Sequence, residues 1–161
     1  MQKIILSLFL AVSTAVLFAQ KPSDWQKNFP SKINWYKVSD AGVLLVATKD
    51  ALYGLSPEGQ EVWKAEDIEN IKESNLDIIE NTPYIVLVKT GLIKGTNKVV
   101  DVVTGKTLFN SADNGFANVT KRLYLPKSNK LIFYGGSKNG VLMLMLVDLA
   151  TGQKVWEQTK I

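Results

Sequence analysis

Two aspartates in this chain recur in one local pattern: Asp101-Val-Val-Thr104-Gly105 and Asp148-Leu-Ala-Thr151-Gly152 share the spacing Asp-x-x-Thr-Gly. A carboxylate beside a threonine hydroxyl has the atoms for a metal ligand or for one half of an acid/base pair. Recurrence argues against that chemistry, because turns repeat with a fold and catalytic sites usually do not. In a turn the aspartate accepts from the threonine hydroxyl and from nearby amides, while the glycine supplies a left-handed residue. Both aspartates are therefore read as structural. Histidine and cysteine are absent, which excludes a Ser-His-Asp constellation, histidine zinc sites, thiolate ligands and thiol nucleophiles. Gly135-Gly136-Ser137-Lys138-Asn139-Gly140 combines glycines with a lysine but lacks the loop-to-helix context of a phosphate cradle, and is expected to be a hairpin turn. Asn118-Val119-Thr120 fits a glycosylation sequon, a three-residue pattern that chance supplies readily. No catalytic, cofactor-binding or metal-binding residue is expected.

The turns belong to a repeat. Gly59 precedes Trp63, Gly105 precedes Phe109 and Gly152 precedes Trp156, each as Gly-x-x-x-(Trp/Phe), in modules of about 46 residues. A fixed period of that size marks stacked supersecondary units. In the first unit the runs Ile33 to Val38, Gly42 to Thr48, Ala51 to Leu55 and Gln60 to Lys64 read as strands, with Ser56-Pro57-Glu58-Gly59 reversing the chain. The second has Leu76 to Glu80, Tyr84 to Val88, Val99 to Val103 and Lys106 to Phe109. The third has Val119 to Leu125, Lys130 to Tyr134, Val141 to Leu149 and Gln153 to Trp156. Ala65 to Lys72 has a faint helical pattern and is expected to be a connecting loop or a single turn. Each unit is thus a four-stranded meander. Such a sheet cannot cover both its faces alone, so the units must stack. The inner strands are nearly continuously apolar, as in sheets covered on both sides.

The string Leu146-Val-Asp148-Leu-Ala-Thr151-Gly152-Gln-Lys-Val-Trp156 resembles the tryptophan-docking signature of quinoprotein-like propellers, Ala-x-Asp-x-x-Thr-Gly-x-x-x-Trp. This is the family of the pyrroloquinoline quinone (PQQ) dehydrogenases and their non-enzymatic relatives. Leu146 departs at the first place of the signature. The second unit matches through Asp101, Thr104 and Gly105, with Val99 first and Phe109 last. The first unit, ending Gly59-Gln-Glu-Val-Trp63, is similar to a variant whose turn is one residue shorter. The resemblance implies an all-β fold: a partial β-propeller of about three four-stranded antiparallel blades, near residues 33–66, 74–112 and 117–158, with the repeats filling 33–161. It does not carry the enzyme, since no residue here matches the catalytic aspartate, the calcium site or the cysteine pair of the dehydrogenases.

Propellers usually close with about four to eight blades. Three would leave an open arc, which could be part of a longer propeller, could pair with a second arc, or could stand alone with adapted end faces. The seven apolar residues Val141 to Val147 need cover on both sides of their sheet. Residues 20–32 are either a linker or a closing strand beginning at Trp25. Trp25, Trp35 and Tyr36 either pack on the first blade or form an exposed binding surface.

Lys3 followed by the uncharged apolar run Ile4 to Phe18 reads as a signal peptide over residues 1–19. The run is shorter than the roughly 20 residues of a membrane span. The net charge of +4 is carried by scattered lysines and forms no basic stripe, so no nucleic-acid partner is expected. The chain is expected to be an exported, periplasmic or extracellular, non-catalytic module that presents loops to a protein or small ligand. The alternative is a portion of a PQQ-dependent dehydrogenase.

Overall fold

A computed structural model describes residues 24–90 and 95–159. The expected leader at residues 1–19 lies outside the described residues. Twelve strands among those described run β1 (Ile33–Val38), β2 (Leu44–Thr48), β3 (Leu52–Leu55), β4 (Glu61–Ala65), β5 (Leu76–Ile78), β6 (Tyr84–Thr90), β7 (Gly95–Asp101), β8 (Thr107–Asn110), β9 (Phe116–Leu125), β10 (Lys130–Ser137), β11 (Leu142–Asp148) and β12 (Lys154–Thr159). They form three four-stranded antiparallel sheets, each a meander in chain order. The protein is all-β, with blade-like sheets stacked as a partial propeller. No helix among the described residues is long and apolar enough to cross a membrane.

The second sheet lies between the other two, and strand alternation shows how. Successive side chains point to opposite faces, so Ile85, Leu87, Val100 and Val102 pack in one cluster with Leu45, Leu52 and Trp63 of the first sheet. Their neighbours Val86, Val99 and Phe109 pack in another with Leu131, Phe133, Met143 and Met145 of the third. This is why the inner strands are apolar without alternation: both faces are core. The two seams are aromatic-rich. Phe109 stacks on Phe133 with ring centroids 4.7 Å apart, and Phe116 approaches the same ring at 6.3 Å.

Some boundaries differ from the sequence reading. Gly135 to Gly140 is not wholly a turn, because Gly135, Gly136 and Ser137 continue β10. A Cβ on Gly135 would overlap the backbone of Asn118 and Val119 in β9, at a shift of register between Tyr134 and Gly135. These glycines therefore admit a bulge. The Asn118 side chain serves it too, its Oδ1 accepting from Gly136 N at 2.8 Å. The Val99 to Val103 strand is displaced toward the N-terminus, since β7 already begins at Gly95 and ends at Asp101. Polar Thr96, Asn97 and Lys98 hid its first half from a reading based on apolar runs. β9 likewise starts earlier than Val119, at Phe116. Residues 66–72 are a loop, followed by a 3-10 turn at Glu73–Asn75.

Phe133 is fully buried between Phe109 and Phe116. Phe133→Ala should destabilise the fold by about 3–5 kcal/mol, a large share of a stability near 5–15 kcal/mol. Urea unfolding followed by far-UV circular dichroism checks this; a loss under about 1 kcal/mol would mean that the second seam is not closed as described.

Candidate functional site

The repeat positions form docking joints between sheets. Trp63 lies on β4 opposite Gly54, where a Cβ would overlap its indole, and so the ring lies flat and faces the second sheet. There it covers Gly105, whose φ is +71° and whose missing Cβ would collide with the Trp63 ring. The indole Nε1 donates to Val102 O, satisfying a polar group that burial would otherwise leave bare. Asp101 shapes this turn: its Oδ1 accepts from Val103 N at 2.9 Å and its carbonyl from Gly105 N at 2.8 Å. Thr104 Oγ1 accepts from Lys106 N at 3.3 Å.

The next joint repeats the turn, with backbone in place of the ring. Asp148 Oδ1 accepts from Ala150 N, Thr151 N and Thr151 Oγ1 at 2.9, 3.2 and 3.4 Å. Gly152, at φ +74°, leaves no room for a Cβ because the backbone of Leu108 lies against it. The adjoining Phe109 is 3% exposed. In the first sheet the turn at Gly59, φ +80°, is covered by Trp25, whose ring a Cβ would strike. Trp25 Nε1 donates to Pro57 O at 2.8 Å. Trp156 ends the series on β12 opposite Leu146 and is 40% exposed. Trp35 packs against the first seam, and its Nε1 donates to Ile71 O at 2.7 Å. Tyr36 stays 72% exposed.

None of these positions lines the candidate binding groove, a concavity of about 580 Å³ where the loop 67–72 overhangs the second sheet. Ile68 and Ile71 pack into the first seam. With Leu87 and Val88 they give the groove an apolar side, and Thr96, Lys98 and Asn110 give it a polar one. Three ties hold the loop: Asp67 pairs with Lys98, Asn70 N donates to Lys49 O at 3.0 Å, and Trp35 holds Ile71. Where β4 enters this loop, Lys64 and Glu66 hydrogen-bond at 2.5 Å. That bond holds the exposed Glu66 carboxyl below its ordinary range and raises the Lys64 ammonium. Its contribution is present above the ordinary carboxylate pKa and is lost as the pH falls through the lowered value. Sequence reasoning missed the groove; its signal was the pair Ile68 and Ile71 within an otherwise charged connector.

A second polar feature joins the second and third sheets. Arg122, the only arginine in the chain, reaches from β9 to Asp77 Oδ2 on β5 at 3.0 Å and to Asn97 Oδ1 on β7. Asn97 is buried, and its backbone N donates to Ser111 Oγ at 2.9 Å. Arginine suits this place because its planar fork can serve two acceptors at once.

No protein-family model matches the chain, and no curated protein matches it. Among solved structures it is similar to a eukaryotic initiation factor, with 14% identity and a TM-score of 0.50, over 84% of this chain and 34% of that one. It is also similar to a protein of unknown function from Bacteroides caccae, with 12% identity and a TM-score of 0.36, over 83% of this chain and 63% of the other. The chain therefore spans about a third of the first structure and under two thirds of the second. The first likeness concerns the fold alone.

Gly42 and Gly105 share a positive φ, but only Gly105 has a neighbour where a Cβ would stand. Gly42→Ala should therefore cost about 1–2 kcal/mol for backbone strain alone, and Gly105→Ala clearly more because it also expels Trp63. Equal losses in paired urea titrations would refute the docking role of the ring.

Proposed function

We propose that this chain is an exported, non-catalytic repeat module of the quinoprotein-like propeller type that binds a segment of a partner protein or a small ligand in the groove beside loop 67–72. The groove carries this reading. It is a concavity of about 580 Å³ with an apolar side and a polar side, the combination that lets a site bury an apolar group while fixing its orientation. The loop above it is tied at three points, which lowers the entropy lost on binding. The Trp63-on-Gly105 joint and the recurring Asp-x-x-Thr-Gly turns support the family reading, and the apolar run behind Lys3 supports export.

The alternative, a portion of a PQQ dehydrogenase, needs a calcium site of converging acidic and amide side chains. Among the described residues no group of three carboxylates could hold a metal ion. Asp101 and Asp148 spend their carboxylates on the amides of their own turns. The residues present do not fit that cofactor, and no chemical step is assigned to it.

Amide chemical-shift mapping against peptide and small-fragment libraries tests the groove. Bound members should shift residues 67–75, 87–89 and 96–98, and Ala112→Trp, which fills the groove from one rim, should weaken them at least about tenfold. Shifts confined to other surfaces, or unchanged by Ala112→Trp, would defeat the proposal. Adding PQQ with calcium should produce no bound-quinone absorbance; a stoichiometric signal would favour the dehydrogenase reading instead.

A further inference from the structure

The two outer faces of the stack are treated differently. On the first sheet, Val46, Ala51, Tyr53 and Leu55 form an outward cluster that Phe29 covers, with the Phe29 ring edge-on to Tyr53 at 5.1 Å. Trp25 closes the Gly59 turn, and Lys27 pairs with Glu61 at 3.1 Å. On the third sheet, Leu123, Ile132, Leu146 and Trp156 form one cross-strand row, on the face turned away from the second sheet. Leu123 is 59% and Trp156 40% exposed.

Two contacts of Trp25 correspond to those of Trp63. Each ring covers the left-handed glycine of a turn, and each indole N–H donates to the carbonyl of the residue just after the turn begins: Pro57 after Ser56, Val102 after Asp101. Trp63 comes from the outgoing strand of a preceding sheet, whereas Trp25 comes from a segment that belongs to none of the three sheets. Trp156 occupies in β12 the place that Trp63 occupies in β4, four residues after its turn glycine. It has the same ring and the same donor.

We infer that residues 24–29 are an intramolecular cap on the first sheet, occupying the joint into which Trp156 of a second copy of this chain docks when the cap is displaced. The match of parts argues for a second copy as occupant: the outward row ends in the tryptophan that the capped joint is shaped to accept. The cap is also the weaker of the two tenants. Trp25 is 36% exposed where Trp63 is 9% exposed, and its segment adds no strand to the sheet. A head-to-tail contact of this kind gives a ring if the rotation closes and an open chain if it does not. The cap thus holds self-association in check.

Size-exclusion chromatography with light scattering tests this across protein concentration. The Trp25→Ala/Phe29→Ala variant should associate at least about tenfold more tightly than the unaltered chain. Adding Trp156→Ala to it should abolish the gain, and a synthetic peptide of residues 24–32 should reverse it. Trp25→Phe, which keeps the ring but loses the N–H to Pro57 O, guards against misfolding of the double variant and should move association the same way by less. The inference is overturned if Trp25→Phe and the folded double variant associate no more than the unaltered chain. It is equally overturned if the association survives Trp156→Ala, since another surface would then be responsible.

Discussion

A four-stranded sheet whose middle strands are apolar on both faces must have both faces covered, and everything else in this protein follows from how that is done. The second sheet meets the requirement fully, lodged between its neighbours with Val99 and Val100 pointing into different cores. The first seam is fastened by Trp63 from the outgoing strand lying against the glycine turn at Gly105, whereas at the second the Leu108 backbone lies against Gly152 and the Phe109 ring stacks on Phe133. The aromatic contributes apolar area, and the glycine contributes an absence. At Gly105 the left-handed φ permits the turn while the missing Cβ makes room for an indole. One residue thus meets two geometric demands that no other side chain could meet together.

The end sheets meet the requirement differently, and the asymmetry has a chemical form. At the first sheet a short segment from outside the sheets supplies the aromatic, the indole donor and an ion pair. At the third, the equivalent aromatic faces outward beside Leu146. The polar link from Arg122 to Asp77 and Asn97 bridges the second and third sheets at the margin of the second seam, its guanidinium reaching two strands of the second sheet. Surface ion pairs elsewhere, such as Lys154 with Glu157, contribute little by comparison.

Much of this was legible in the residues. β1 coincides with the run Ile33 to Val38 because its neighbours on either side are turn formers. The turns at Gly105 and Gly152 were legible because Asp, Thr and Gly each have one local task there, and local tasks leave local patterns. β7 was read too late because Thr96, Asn97 and Lys98 look like loop residues. Asn97 is nonetheless buried: its Oδ1 accepts from Arg122 and its backbone N–H donates to Ser111, neither of them near it in the chain, while its Nδ2 is left without a partner. Gly135 and Gly136 read as a turn because a bulge uses glycine for the same conformational reason. The groove was invisible because its walls come from a connector and from three strands of the following sheet.

The sequence by itself determined the number of sheets, their meander order and the turns that close them, since each depends on side chains within a few residues of one another along the chain. Only the tertiary structure decided which faces are covered and by what. Whether Trp25 meets Gly59, whether Trp156 meets anything, and where loop 67–72 leaves a hollow all depend on distances between segments far apart in the chain. Burial is a property of neighbours, and these neighbours are chosen by the stacking of whole sheets.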